Sequence, residues 1–445
     1  MEDRKIGRVK EIHAKLRTMS QVWARKEPFD ENEALALRRE AIKLNHQRYF
    51  DLMPAYRQLA EEVGTPKDPD INFIASELVS TDDLFKSYIP EWLDNLDFEK
   101  MNKWLESIYQ DKVEAPVAGL NSIDAWMQKL DERGIHNAFS SGTTGRISFV
   151  PRDEYNWDSF LNNSLNYLIF FLMEMGLSLT DKFDVASLSF KGGNMGIGIV
   201  GQRLSRFAQQ SYFLYERDIS VDALRIMRRG PANQREEKII ADFRETIKSG
   251  LGESYERILK KIAETASTGR QVLVFGAPFQ MKELCELIIS TGRNMKLPPK
   301  SAVIFGGGWK TFEGEKIERS QLVSMIGETF GVSEDFIAEG FSMTEMNMAL
   351  IRCKEGRFHL PPLSEPMIFD EALLPKEGND LTGIFGFLDP FATSYPGFII
   401  TGDNVHLVKG KCPCGLVGPA MVGEVTRAAG REVKGCGGIM SEMRA

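Results

Sequence analysis

The run Ser140-Ser141-Gly142-Thr143-Thr144-Gly145 places four hydroxyl side chains and two glycines in six residues. Each hydroxyl can donate to a phosphate oxygen, and glycine's access to positive φ turns backbone N–H groups toward an anion. Such bonds to phosphate are of the strong, charge-assisted kind. The lysine that a P-loop needs after its last glycine is replaced by Arg146, so a phosphate turn here has to be of another type. The competing reading is a plain surface turn rich in Ser, Thr and Gly.

Three later stretches weigh against the plain turn. Val303-Ile304-Phe305-Gly306-Gly307-Gly308-Trp309-Lys310 is a buried-type strand running into three glycines, where a backbone without Cβ atoms can lie flat against a planar base. Glu339-Gly340-Phe341-Ser342-Met343-Thr344-Glu345 ends in a hydroxyl donor beside a carboxylate, and a carboxylate together with substrate phosphates suits Mg2+. Thr-Glu is also an ordinary helix start. Phe398-Ile399-Ile400-Thr401-Gly402-Asp403 presents a carboxylate after a glycine, able to accept two hydrogen bonds from a vicinal diol, and such a pair is also a common turn.

Taken in order, the four segments resemble the adenylate-forming (acyl-activating) superfamily, whose members make an acyl-AMP from a carboxylic acid and ATP. Within it they resemble the acyl-protein synthetase of the bacterial fatty-acid reductase system, with phenylacetate-CoA ligases as nearer cousins among the CoA ligases. The resemblance implies ATP and Mg2+ as cofactors. It makes Ser140, Ser141, Gly142, Thr143, Thr144 and Gly145 the phosphate loop, and Gly306, Gly307 and Gly308 the adenine loop, whose Gly-Gly-Trp-Lys form is the acyl-protein synthetase variant. It places Phe341 against adenine, in a segment longer between glycine and threonine than the family's Tyr-Gly-x-Thr-Glu. Thr344 would meet the α-phosphate, Glu345 the Mg2+ and Asp403 the ribose. Lys310 is either a solvated lysine or the cation that eases the meeting of carboxylate and phosphate. Arg431, in Gly430–Gly437, matches the ribose-contacting arginine of the hinge that ends the large domain.

Cys436, between glycines and beside Lys434, resembles the cysteine to which acyl-protein synthetases pass the acyl group before a partner reductase takes it. A thiolate near a cation is a competent nucleophile, and a small core thiol is the alternative. The implied partners are a carboxylic acid substrate and an acyl-accepting reductase or carrier protein. The rival readings are a CoA or amide ligase with a soluble acceptor, and a degenerate nucleotide or acyl binder. Cys412-Pro413-Cys414-Gly415, with His406 before it and Cys436 after, has single-residue spacing where structural zinc sites use two to four, so a family turn is preferred over zinc.

Elements to hold these segments are legible. Val9, Ile12, Leu16, Met19 and Val22 fall at helical spacing, and so do Met101, Leu105 and Ile108. Thr65 to Asp70, with two prolines, is a breaker. From Ala138 short β-rich runs (184–190, 271–275, 301–305, 336–338) alternate with helical stretches (155–175, 235–248, 255–265, 279–290, 316–330). Phe160 to Leu177 is apolar on most sides, either buried core or the wall of an acyl channel. The expected fold is α/β: the large domain of adenylate-forming enzymes, mixed and parallel sheets covered by helices, with a helical N-terminal region and no C-terminal lid domain. The expected divisions are a helical N-terminal region at 1–115, a catalytic domain at 116–430 and a truncated hinge and tail at 431–445. Without a lid lysine, Lys310, Lys434 or Arg146 would supply its charge, or adenylation follows another arrangement.

The 445 residues are 42% apolar and 27% charged, with a net charge of −8. A clustered basic face for nucleic acid is missing, so no nucleic-acid partner is expected. The longest apolar run, Tyr167–Met173, is far short of the roughly 20 residues of a membrane span. Met1–Lys15 has no apolar signal core, and the five cysteines follow no disulfide framework, so a cytoplasmic protein with reduced thiols is expected.

Overall fold

A computed structural model describes residues 2–140, 146–307, 309 and 316–428. The chain divides into two compact units, Met1–Tyr167 with Met343–Ala445, and Leu168–Ser342.

The first unit opens with helices Glu2–Ala24, Glu31–Leu52, Pro54–Glu62, Ile71–Glu77 and Phe98–Ile108. Val9, Ile12, Leu16, Met101, Leu105 and Ile108 are all buried, as their spacing required, while Met19 and Val22 are only half-buried. Local chemistry sets the boundaries. Asp30, Asp70 and Asp97 each accept a hydrogen bond from a first-turn backbone N–H, satisfying donors that the helix leaves open. Pro54 stands at the first position of its helix and ends the preceding one at Met53, because its ring cannot continue it. Strand β1 (Ser80–Thr81) and the hairpin β2 (His136–Ser140) with β3 (Ser148–Arg152) complete this part.

In the second unit, β4 (Phe183–Gly192), β5 (Ser211–Asp218), β6 (Gln271–Gly276), β7 (Ala302–Gly306) and β8 (Ile337–Ser342) form an all-parallel sheet in the order β5-β4-β6-β7-β8. The strand cores are buried almost without interruption, as a parallel sheet covered on both faces demands. Val274, Val303 and Phe305 pack with Met281 and Leu284 of helix Pro278–Ser290 and with Ile326 of helix Arg319–Phe330. Two expected helices, 235–248 and 255–265, are one helix, Gln234–Ser267. The glycines at 250 and 252 cost only about 1 kcal/mol each in a helix interior, and no proline intervenes. The expected helix 155–175 is instead two, Glu154–Asn162 and Leu165–Glu174. Leu168 to Leu172 are all buried there.

The first unit resumes with β9 (Ala349–Arg352), β10 (Arg357–His359), β11 (Glu365–Phe369), β12 (Asp380–Leu388), β13 (Phe398–Lys411) and β14 (Val417–Arg427), antiparallel in the order β11-β12-β13-β14-β10-β9. β14 pairs with β13 only from Asp403 onward, and β1 runs parallel to the stretch it leaves, Ser80 opposite Ile399 and Thr81 opposite Ile400. The 3-10 turn Asp82–Lys86 is thereby delivered beside Asp403.

Where β7 and β8 end, Gly306 lies opposite Gly340, and a Cβ on Gly306 would sit 2.4 Å from the Gly340 carbonyl oxygen. Gly306→Val should therefore destabilise the protein by about 1 to 3 kcal/mol, the usual cost of overpacking. Urea unfolding measures this. Wild-type stability in the variant would mean that the strands do not approach so closely.

Candidate active site

The site in the first unit is built on β13. Thr401-Gly402-Asp403 is not a strand-ending turn but lies inside that strand, next to the register shift between Asn404 and His406. The Thr401 hydroxyl donates to the Phe385 carbonyl at 2.8 Å and accepts from the Asp403 N–H at 3.1 Å, which fixes the backbone before the carboxylate. Asp403 pairs across the strands with Arg427 at 3.2 Å. Burial nevertheless raises the Asp403 pKa, and the charge of Asp82 adds to the rise against the opposing pull of Arg427. Asp82 is raised in the same way by burial, opposed first by Lys86. Lys86 Nζ lies 3.8 Å from Asp82 and 2.8 Å from Asp83.

Glu345 joins this group. Its carboxyl is buried, and its pKa is pushed up to about 7, by desolvation first and by Asp82 second, against Arg152 and Lys86. Glu345 and Asp403, 58 residues apart in sequence, thus both feel Asp82. The half-buried Asp82 adds to the rise of the two buried carboxyls, Glu345 and Asp403, and a cation close to either would offset that repulsion. A carboxylate such as Glu345 is the kind of oxygen donor that Mg2+ takes together with substrate phosphates.

A buried polar network fixes the backbone at Glu345. Arg152, at the end of β3 and fully buried, donates to the Thr344 carbonyl at 2.7 Å, to Asn347 Oδ1 at 3.2 Å and to the Tyr395 hydroxyl at 2.9 Å. That hydroxyl donates onward to the Glu345 carbonyl at 3.0 Å. Asp389 accepts from the Asn347 backbone and side-chain N–H groups at 2.9 and 3.0 Å. The N-terminal helices hold the following segment. Asn45 donates to the Pro390 carbonyl at 2.7 Å, Arg48 to the Thr393 carbonyl at 3.2 Å and Tyr49 to the Ala392 carbonyl. His13 stacks on Phe391, and because Nε2 faces the Pro390 carbonyl at 2.8 Å, that nitrogen carries the proton. Burial lowers the His13 pKa to about 3, so its ring is neutral.

Thr344, Glu345 and Asp403 are therefore brought to one unit, and Ser140 ends β2 in the same unit, opposite Ser148. In the second unit, Gly306 closes β7, Gly307 follows at φ +87°, and Phe341 lies on β8 next to Gly340, the partner of Gly306. Ser141, Gly142, Thr143, Thr144, Gly145, Gly308, Lys310, Arg431 and Cys436 lie outside the described residues. Sequence reasoning missed Asp82, Lys86, Arg152, Asn347, Asp389, Tyr395 and Arg427. Asp389-Pro390-Phe391-Ala392-Thr393-Ser394-Tyr395 offered one signal, a polar run set between two apolar strands.

The raised Glu345 pKa makes a pH prediction with a definite sign. The folded state holds this proton more tightly than the unfolded chain, so the contribution is fully present below about pH 4.5 and is lost as pH rises through about 7. Glu345→Gln should gain stability relative to wild type across that window and be level with it below. Urea unfolding of both proteins at a series of pH values tests this. A difference that does not change with pH would show that Glu345 ionises freely.

Residues 246–444 match the family model described as "Acyl-protein synthetase, LuxE". The chain is 24% identical over 156 residues to the long-chain-fatty-acid–luciferin-component ligase of Aliivibrio fischeri, covering 35% of this chain and 41% of that one. It is 27% identical over 196 residues to the enzyme of the same name from Vibrio harveyi, covering 42% and 49%. The matches span about half the length of these curated relatives or less. Among solved structures, 2-hydroxyisobutyryl-CoA ligase in complex with 2-HIB-AMP and CoA superposes with a TM-score of 0.52 at 14% identity in an open conformation, over 88% of this chain and 70% of that one. In the thioesterification state the TM-score is 0.53, over 88% and 69%. The chain has the fold of adenylate-forming ligases and, over its C-terminal part, is similar to acyl-protein synthetases.

Proposed function

We propose that the protein activates a long-chain fatty acid as acyl-AMP with ATP and Mg2+, and passes the acyl group to a thiol. The observation that carries this reading is that Glu345 and Asp403, from two separate adenylate-forming motifs, both lie within electrostatic reach of Asp82. The acid class rests on the name of the curated relatives. The fatty carboxylate attacks the α-phosphorus of ATP, the bond to the β-phosphate oxygen breaks, and pyrophosphate leaves. Glu345 would hold Mg2+, which would supply charge neutralisation on the phosphates. Asp403 accepts from the ribose hydroxyls, and the neighbouring Arg427 favours its ionised form against the effect of burial. The Thr344 hydroxyl donates to the α-phosphate. Ser140, at the end of β2 in the same unit, leads into the phosphate loop. Arg152 orients the Thr344–Glu345 backbone without touching the substrate.

The second half-reaction assigns Cys436 as acceptor. Its thiolate attacks the acyl carbon, the bond to the AMP oxygen breaks, and a thioester forms that a partner reductase or carrier protein then takes. The sequence Lys434-Gly435-Cys436-Gly437 supports this, since a lysine two residues from a thiol is of the kind that favours the thiolate nucleophile.

Fatty-acid-dependent ATP–pyrophosphate exchange tests the first step. Exchange is expected with long-chain acids and should vanish in the folded Thr344→Ala/Glu345→Ala double variant. A folded wild type that is inert across a broad panel of acids overturns the reading. Asp403→Ala should raise the KM for ATP about 10- to 100-fold, the loss expected for hydrogen bonds to a charged group. With labelled fatty acid, ATP and Mg2+, intact-mass analysis should find a hydroxylamine-labile adduct on the wild type and none on Cys436→Ser. An adduct that survives in Cys436→Ser, or exchange with no adduct at all, redirects the acyl group to a soluble acceptor such as CoA.

A further inference from the structure

A second cluster of chemically capable side chains lies in the first unit, in residues that the acyl chemistry does not use. Cys353, His359, Cys412 and Cys414 are all buried, and one ligand atom from each lies within 4.8 Å of every other. Cys353 Sγ is 4.0 Å from Cys412 Sγ, and His359 Nε2 is 3.3 Å from both Cys353 Sγ and Cys414 Sγ. A tetrahedral zinc with ordinary bond lengths sets its ligands about 3.8 Å apart for two sulfurs and about 3.6 Å apart for sulfur and nitrogen. The sulfurs are too far apart for a disulfide, whose bond is about 2.05 Å, and all four described cysteines are free.

Hydrogen bonding alone accounts poorly for this convergence. A neutral imidazole nitrogen has one lone pair, so Nε2 can accept from one thiol only, although two sulfurs lie against it. Nδ1 is buried with no hydrogen-bond partner, which leaves Nε2 as the nitrogen committed to the cluster. We infer that Cys353, His359, Cys412 and Cys414 form a structural zinc site that ties two neighbouring hairpin tips together. Cys353 and His359 flank the β9–β10 turn, which is closed by the Cys353 N–H donating to the Arg357 carbonyl at 2.9 Å. Cys412 and Cys414 lie in the β13–β14 turn, closed by the Cys412 N–H donating to the Leu416 carbonyl at 2.8 Å, with Gly415 at φ +102°. β10 pairs with β14, His359 opposite Ala420, and so sets the two turns at one end of the sheet.

The spacing argument that preferred a family turn over zinc does not hold against this topology. The single residue between Cys412 and Cys414 is compatible with zinc because the other two ligands come from a different hairpin, as Cys-x5-His. His406 takes no part; its Nε2 is 2.6 Å from Asp380. Three thiolates and an imidazole are a soft, four-coordinate set with no open position, which favours zinc over oxygen-seeking ions and a structural role over a catalytic one. Trp23 covers the cluster: its indole N–H donates to the Val417 carbonyl at 2.7 Å, and its ring meets His359 edge-on.

The experiment is elemental analysis of the full-length protein, purified under reducing conditions without chelator and then equilibrated with a slight excess of zinc and desalted. About one zinc per chain is expected. Cys353→Ser and Cys412→Ser/Cys414→Ser should each retain at least tenfold less, and His359→Cys, which restores a four-ligand set, should retain it. Because some variants will fold poorly, the wild type carries its own test: cobalt in place of zinc should give the intense absorption of a tetrahedral thiolate site. Wild-type protein that holds no zinc tighter than about 1 μM overturns the inference, as does full zinc occupancy in the cysteine variants. Neither outcome depends on ATP or acyl turnover, so this result and that of the exchange assay are separable.

Discussion

A buried guanidinium sets the terms for the first unit. Arg152 is wholly out of water, and removing an ion from water costs several kcal/mol even after relaxation. Burial lowers its pKa, while the charges of Asp389 and Glu345 and the Tyr395 oxygen support its ionised form. No carboxylate bonds to it directly among the described residues. Its donors are met by two carbonyls, an amide oxygen and a phenol, so the segments that carry those groups must come to it. β3, the Thr344–Asn347 turn and the Asp389–Tyr395 segment meet for that reason, and the position of the Glu345 carboxyl follows from their meeting. The stacking of Arg152 on Phe160 and Tyr395 closes the remaining faces of its plane.

The N-terminal helices gain a role from this arrangement. Read alone, residues 1 to 115 show amphipathic periodicity and no chemistry. In the fold their polar interior residues, His13, Asn45, Arg48 and Tyr49, grip the carbonyls of Pro390, Ala392 and Thr393 in the segment that carries Tyr395. One short pair of β-bridges then adds Asp82 to the site itself. The region is both the clamp on the network and the source of a carboxylate.

What sequence could and could not convey divides along physical lines. Helical periodicity placed Val9, Ile12, Leu16, Met101 and Leu105 in the core, since burial repeats with the helix. The Gly306 turn stood out as a strand running into three glycines, where a Cβ would meet Gly340, and Thr401-Gly402-Asp403 as a carboxylate after a glycine, although it lies within β13 rather than at a strand's end. Asp82, Lys86 and Arg152 were not readable. Each depends on pairing between segments hundreds of residues apart, and a lone Asp, Lys or Arg has no local pattern. The Cys353–His359 pair escaped notice for a related reason: metal-ligand rules speak of spacing within one turn, whereas here two turns share one cluster.

The elevated Glu345 pKa has a consequence for how the site handles cations. A carboxyl with a pKa of about 7 is half-protonated at neutral pH. On the proposed reading, a divalent ion that took its oxygen would have to expel that proton to solvent. Metal–nucleotide binding at Glu345 would then be an exchange of cation for proton, with an apparent affinity that climbs with pH and a heat that contains the ionisation heat of whichever buffer receives the proton.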